Sequence, residues 1–307
     1  MDILYIDAIA GASGDMFLGA LVDLGVDFDA LRDGLATLKV KGFELRRTPT
    51  KRHTIAGTKV DVVVQDVPHP HRHLGDLLRL IDGSKLPEPA KATARAALTR
   101  LAEAESRVHR MPIEKVHLHE VGGLDCLVDI AGAALGLHLL GVERVLAGPV
   151  SVGAGLIRCA HGVMPGPAPG TLAILEGIPV RRLPFPHEMT TPTGAAIIAT
   201  VARPVAGPIV FTPRAVGYGA GTRDTPEVAN LLRLVRAEAD PRFLPAAPHA
   251  HDHDHGHHHH DHDHDHHHDH EHDHDHGHHH HHDDEPVKPA EKARKGAAKK
   301  ASRKGAK

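Results

Sequence analysis

Ile3-Leu4-Tyr5-Ile6-Asp7-Ala8-Ile9-Ala10-Gly11-Ala12-Ser13-Gly14-Asp15-Met16-Phe17-Leu18-Gly19-Ala20-Leu21-Val22-Asp23-Leu24-Gly25 is the stretch whose reading decides the fold. Ile3 to Ile6 is a short apolar run, the pattern of a buried strand. Gly11 to Asp15 is a loop of small residues. Met16, Leu18, Ala20, Leu21 and Leu24 then recur at helical spacing, and Gly25 stands where a C-cap belongs. A strand, a Gly/Ser loop and a helix in that order bring free backbone N–H groups to a helix N-terminus, a geometry that suits an anion such as phosphate. The spacing is neither the dinucleotide-binding fingerprint nor the phosphate loop of nucleotide hydrolases. Asp7 and Asp15 would also sit near any bound group. The plainer alternative is an ordinary turn in which Ser13 or Asp15 caps the helix.

Strand-like and helix-like patterns keep alternating downstream, which predicts a mixed α/β fold of several short strands with packed helices. Residues 28–40 have helical spacing. Residues 43–47 and 58–65 alternate as strands, with Val60, Val62 and Val64 on one face and a basic turn region, 48–57, between them. A helix is expected over 74–81. A long Ala-rich one follows over 88–109, opened by Pro87 and Pro89 and buried along Leu98, Leu101 and Val108. Leu124 to Leu140 reads as a helix with small residues on one side, suited to close packing against a sheet, and Gly141 ends it. Residues 144–152 read as one strand, 168–175 as a short helix and 178–183 as a strand. A helix then runs to about Ala202, with Thr191 or Thr193 as N-cap. Strands are expected at 208–211, 215–219 and 230–236, with a flexible glycine loop, 217–222, able to close over a ligand.

Chemistry concentrates in a few places. In His117-Leu118-His119-Glu120-Val121-Gly122-Gly123-Leu124-Asp125-Cys126-Leu127-Val128-Asp129, two histidines alternate with a leucine, so an extended backbone points both imidazoles to one face. Glutamate, a tight Gly-Gly bend, and Asp125 and Asp129 four apart on a helix follow; histidine, carboxylate and the Cys126 thiol within thirteen residues are the ingredients of a borderline metal site. The alternative is a charged first helical turn beside two structural histidines. Cys159 and His161 also alternate, next to Gly162, and form a candidate ligand pair; a buried cysteine beside a structural histidine is the competing reading. His69, His71 and His73 make a short histidine cluster in a proline-held loop. Thr191 and Thr193 offer hydroxyls and N–H groups at a helix start, where a phosphate or carboxylate could sit.

Composition narrows the class. The chain has 307 residues, a net charge of −3, two cysteines, no tryptophan and 3% aromatic residues. Two cysteines imply no disulfide framework. Few aromatics leave no stacking platform for single-stranded nucleic acid. No stretch reaches the roughly 20 apolar residues of a membrane span, and the N-terminus lacks the basic region and apolar run of a signal peptide, so a cytoplasmic location is the default expectation. Histidine is the anomaly: 32 residues, of which ten precede position 249. The expected organisation is a folded core over 1–240, a His/Asp-rich segment over 241–285 that cannot bury apolar surface and is disordered without metal, and a Lys/Arg/Ala tail over 286–307.

Five motifs in this order resemble the LarC-type nickel-insertion family: residues 1–25, 117–130, 153–171, 188–197 and 217–224, a likeness running over about 1–236. The resemblance implies a chelatase, or metal-inserting lyase. It places Ni(II) in pyridinium-3,5-bisthiocarboxylic acid mononucleotide, giving the nickel-pincer nucleotide cofactor of lactate racemase, the downstream acceptor. Nickel then bonds to carbon and sulfur, a ring proton is lost, and a base is needed. On that footing His117, His119 and Glu120 are metal ligands or base, and Cys159 and His161 are a second ligand pair. Ser13, Asp15, Thr191 and Thr193 orient the substrate phosphate, and His69, His71 and His73 collect metal. Full-length members carry a further domain that binds and hydrolyses CTP with Mg(II) or Mn(II). Here the sequence turns into the histidine segment, so a separate CTP-hydrolysing partner is expected. The family often carries a histidine-rich insert before the long helix; in this chain most histidine lies C-terminal, where a tether raises local metal concentration just as well. Two other classes compete: a non-catalytic nickel storage or metallochaperone protein, and a nucleic-acid binder acting through the basic tail. The folded part shows no basic stripe, which disfavours the last.

Overall fold

The computed structural model describes residues 1–64, 73–116, 123–159 and 162–244. In chain order the elements are β1 (Asp2–Asp7), α1 (Gly14–Asp23), α2 (Phe28–Ala36), β2 (Phe43–Arg52), β3 (Ile55–Val64), α3 (Leu74–Asp82), α4 (Glu88–His109), α5 (Leu124–Leu140), β4 (Arg144–Ala147) and β5 (Val150–Val152). Then come β6 (Leu156–Cys159), β7 (Gly162–Pro165), α6 (Pro169–Ile174), β8 (Val180–Arg182), α7 (Pro192–Val201), β9 (Arg203–Pro204), β10 (Thr212–Ala220) and β11 (Leu231–Glu238). Among the described residues no helix is long and apolar enough to cross a membrane.

A seven-stranded mixed sheet in the order β2-β3-β10-β11-β1-β4-β9 carries the fold. β1 is central, antiparallel to β11 and parallel to β4. Its Ile3, Leu4 and Ile6 are fully buried, which is why a four-residue apolar run suffices to define it. Helices cover one face. Ile3, Leu146, Val205, Val235, Ala237 and Leu244 form a smaller cluster on the other, with Tyr5, Ile209 and Phe211 packed against it. The mixed α/β class read from the sequence is the observed one.

α1 is the helix on which the site is built. Phe17, Leu18, Ala20 and Leu21 are all fully buried; each of the larger side chains contributes about 1.5–3 kcal/mol by leaving water. The helix lies directly on β10, because Gly217 and Gly219 present no side chain there. A Cβ at Gly219 would stand 1.8 Å from the Met16 carbonyl oxygen, a backbone collision that no rotamer relieves. These glycines therefore belong to a strand, and the flexible loop expected over 217–222 is reduced to its last residues.

Other expectations also shift, each for a local reason. The small face of α5 packs on α1 rather than on the sheet: a Cβ at Gly132 would meet Leu18 at 2.6 Å, and one at Gly136 would meet Leu21 at 2.8 Å. In α4 the buried stripe is Ala90, Ala94, Ala97, Leu98, Leu101, Ala102 and Ala104, while Val108 is exposed in the last turn. The strand expected over 144–152 breaks at Gly148-Pro149. Pro149 has no N–H to donate, and Val150 N turns to the Pro179 carbonyl (2.9 Å), so β5 pairs with β8 outside the main sheet. The basic turn region over 48–57 is mostly strand. β2 and β3 pair from Phe43–Val64 to Arg52–Ile55, leaving only His53 and Thr54 in the turn. Residues 208–211 are not a strand; Ile209 and Phe211 instead cover the sheet.

Candidate functional site

Three helix N-termini meet at one cavity of about 630 Å³. Ser13, Gly14 and Asp15 bring the start of α1, Asp125 and Asp129 the first turns of α5, and Thr191, Pro192 and Thr193 the start of α7. Backbone hydrogen bonding fixes the approach of the first and last. Ala12 N donates to Thr190 Oγ1 (3.2 Å), Thr191 N donates to the Ala12 carbonyl (3.0 Å), and Thr190 Oγ1 donates to the Ser151 carbonyl (2.7 Å). Thr191 is the N-cap of α7, its hydroxyl accepting from Gly194 N at 3.2 Å, and Pro192 occupies the first helical position, where its missing N–H is no loss. The positive ends of three helix dipoles give this cavity a field that attracts anions.

Carboxylates give it the opposite character as well. Asp15, Asp61, Asp125 and Asp129 all line it. Lys59, buried behind them, ties Asp15 Oδ2 (2.6 Å) to Asp61 Oδ1 (2.7 Å). Burial pulls the Lys59 ammonium down, but the charges and hydrogen bonds of Asp15 and Asp61 outweigh it and hold the group above its ordinary range. Asp15 also accepts from the hydroxyl of Ser13 and, at 3.3 Å, from that of Thr222. Asp129 has no such partner: its Oδ1 is sealed from solvent and receives no hydrogen bond among the described residues. Burial, followed by the charges of Asp15 and Asp125, pushes its carboxyl well above the usual range.

The rim is held by the loop after β10. Thr222 and Arg223 reach the cavity, and the tip of the β2–β3 hairpin pins that loop: Arg52 donates to the Gly221 carbonyl at 2.6 Å, and His53 Nε2 lies 2.7 Å from the Thr225 carbonyl. On the far rim His187 stacks on Phe185, ring centroids 6.0 Å apart.

Of the residues singled out in the sequence, Ser13, Asp15, Asp125, Asp129, Thr191 and Thr193 are brought together here. Thr193 Oγ1 donates to the buried Cys126 sulfur at 3.4 Å, and burial raises that thiol far above its ordinary value, so it is held protonated inside the core. His73 lies elsewhere, before α3, where Nδ1 is 3.1 Å from the carbonyl of Val116, the residue preceding His117. His117, His119, Glu120, His161, His69 and His71 lie outside the described residues, as does the side chain of Cys159, whose backbone ends β6. Among the described residues no three His, Cys, Asp or Glu side chains form a group able to hold a metal ion. Lys59, Asp61, His187 and Glu188 were not singled out by sequence. Lys59 and Asp61 alternate with Val60 and Val62 and read as the wet face of a strand; only the packing of β3 beside α1 buries Lys59, while Asp61 stays well exposed.

The sequence profile of the family described as nickel insertion protein matches residues 4–277. A protein of Geobacter sp. (strain M21) is 44% identical over 238 residues, covering 78% of this chain and 62% of its own length. The pyridinium-3,5-bisthiocarboxylic acid mononucleotide nickel insertion protein of Akkermansia muciniphila is 43% identical over 248 residues, 78% of this chain and 61% of the relative. The protein of that same name from Geobacillus kaustophilus is 42% identical over 248 residues, 78% and 60%. The chain thus spans about three fifths of the length of the curated relatives it matches. No solved structure matches it.

Proposed function

The chain belongs to the nickel insertion protein family, and from that premise we propose that it inserts Ni(II) into pyridinium-3,5-bisthiocarboxylic acid mononucleotide, yielding the nickel-pincer nucleotide used by lactate racemase. The observation that supports this reading is the double character of the cavity. Helix N-termini suit the phosphate and thiocarboxylate groups of such a substrate, and the carboxylates suit its cationic ring and the arriving metal. Ser13, Thr191 and Thr193 orient the phosphate. Asp15 acts with them by holding the Ser13 hydroxyl and Lys59 in place. His117, His119 and Glu120 present Ni(II) or take a proton, Cys159 and His161 form a second ligand pair, and His69, His71, His73 and the C-terminal histidines gather the ion.

The test is mass spectrometry of the precursor nucleotide after incubation with the full chain and Ni(II). It is run with and without CTP and Mg(II) or Mn(II), and with a CTP-hydrolysing domain supplied separately. Nickel-bearing nucleotide in any CTP arm supports the proposal. Unchanged precursor in every arm refutes it. The histidine-rich segment favours a second reading, nickel storage without catalysis, in which metal is bound and the nucleotide is left unchanged.

A further inference from the structure

A buried carboxylate oxygen without a hydrogen-bond donor is a cost that folding alone does not explain. Asp129 carries one. Its carboxyl sits against the first residue of α1, so closely that a Cβ at Gly14 would stand 2.3 Å from Oδ2. The residue keeps part of its side chain open, on the cavity it lines. Asp15, by contrast, is fully engaged by Ser13, Lys59 and Thr222, and has no comparable lone pair to spare.

We infer that Asp129 is the proton acceptor of the metallation step, an assignment that rests on the nickel-insertion reading above. In that step the ring C–H bond breaks and its electron pair becomes the Ni–C bond. The proton passes to the Asp129 carboxylate, and nickel remains Ni(II), so neither oxidant nor reductant is required. An acceptor must offer a lone pair that no other donor occupies, on a side chain that meets the substrate. No hydrogen bond among the described residues reaches Asp129 Oδ1, and the residue is partly open on the cavity. Among the described residues, the charged groups facing Asp129 are Asp15 on α1, Lys59 and Asp61 on β3, and Asp125 on its own helix. Burial and the neighbouring carboxylates make it a stronger base than an exposed aspartate, while the pyridinium charge and Ni(II) favour its ionised form once substrate is bound.

The experiment compares the parent full chain with Asp129→Asn under conditions in which the parent inserts nickel. Insertion by the variant is expected to fall about 100-fold or more, with precursor binding retained. Melting temperature supplies a readout that a merely structural role would move the other way. A carboxyl whose folded-state value is raised contributes less stability as pH climbs from about 4 through that raised value. Asp129→Asn removes this penalty, so the variant melts at or above the parent at neutral pH, and the gap widens with pH. A variant that melts well below the parent contradicts the assignment. So does one that inserts nickel at the parental rate, and in that case the family reaction itself still stands. A parent that forms no nickel nucleotide overturns the reaction and this inference together. If Asp129→Asn does not fold, the parent decides: its insertion rate should rise with pH through a value above the ordinary carboxylate range, and a flat profile overturns the assignment.

Discussion

Replacing Lys59 with methionine lowers the folding stability of residues 1–244 by about 3 kcal/mol, the lower end of what breaking a buried ion pair costs. The reason is the company that Lys59 keeps. Its ammonium is nearly enclosed and holds Asp15 and Asp61 at 2.6 and 2.7 Å, whereas Asp61 itself remains well exposed. Methionine fills most of the volume but leaves a largely buried Asp15 without its cation, beside Asp129. Only the partial exposure of Asp61 softens the loss. The deficit has a definite pH dependence. Loss of the Lys59 charge, which lowers the raised Asp129 carboxyl, raises that carboxyl further, so the deficit grows as pH climbs from about 4. Urea unfolding at pH 7 and pH 4.5 measures both effects. An unchanged midpoint at pH 7 would show that the pair contributes nothing.

The His117→Ala/His119→Ala double variant is expected to insert nickel about 100-fold or more slowly than the parent, the scale of losing a positioned catalytic group, with folding stability little changed. By sequence alone, alternation about Leu118 would give the two imidazoles one face if the backbone were extended, and the segment precedes in sequence α5, whose first turns line the cavity. Insertion at the parental rate would remove these histidines from the chemistry.

How much of this was legible in the sequence differs by element. Local patterns were readable wherever one residue type settles the backbone. Gly141 ends α5, the Pro87 region opens α4, and Thr191 caps α7. The strand–loop–helix unit of residues 2–23 was equally plain, because its apolar period changes from strand to helix across the small-residue loop. What sequence could not show is which elements press together. Gly217 and Gly219 fall where an expected strand, 215–219, and an expected loop, 217–222, overlap, and the observed strand lies under α1. Gly132 and Gly136 look suited to a sheet until Leu18 and Leu21 of α1 fill their place. The site divides in the same way. Ser13, Asp15, Thr191 and Thr193 were found because helix starts announce themselves. Lys59 and Asp61 were missed because a charged strand face is ordinarily solvated, and only β3 lying beside α1 buries Lys59 and sets it between Asp15 and Asp61.

The central claim is that donor atoms in the compact body, rather than the histidine-rich extension, set the geometry in which nickel meets the nucleotide. The measurement that tests it most directly is nickel insertion by a chain ending at Leu244, followed by mass spectrometry of the nucleotide over a range of Ni(II) concentrations, beside the full chain. The account predicts the same nickel-bearing product from both at saturating metal, with a higher nickel requirement for the shorter chain. A folded short chain that binds neither ion nor nucleotide, and forms no product at any nickel concentration, would contradict it.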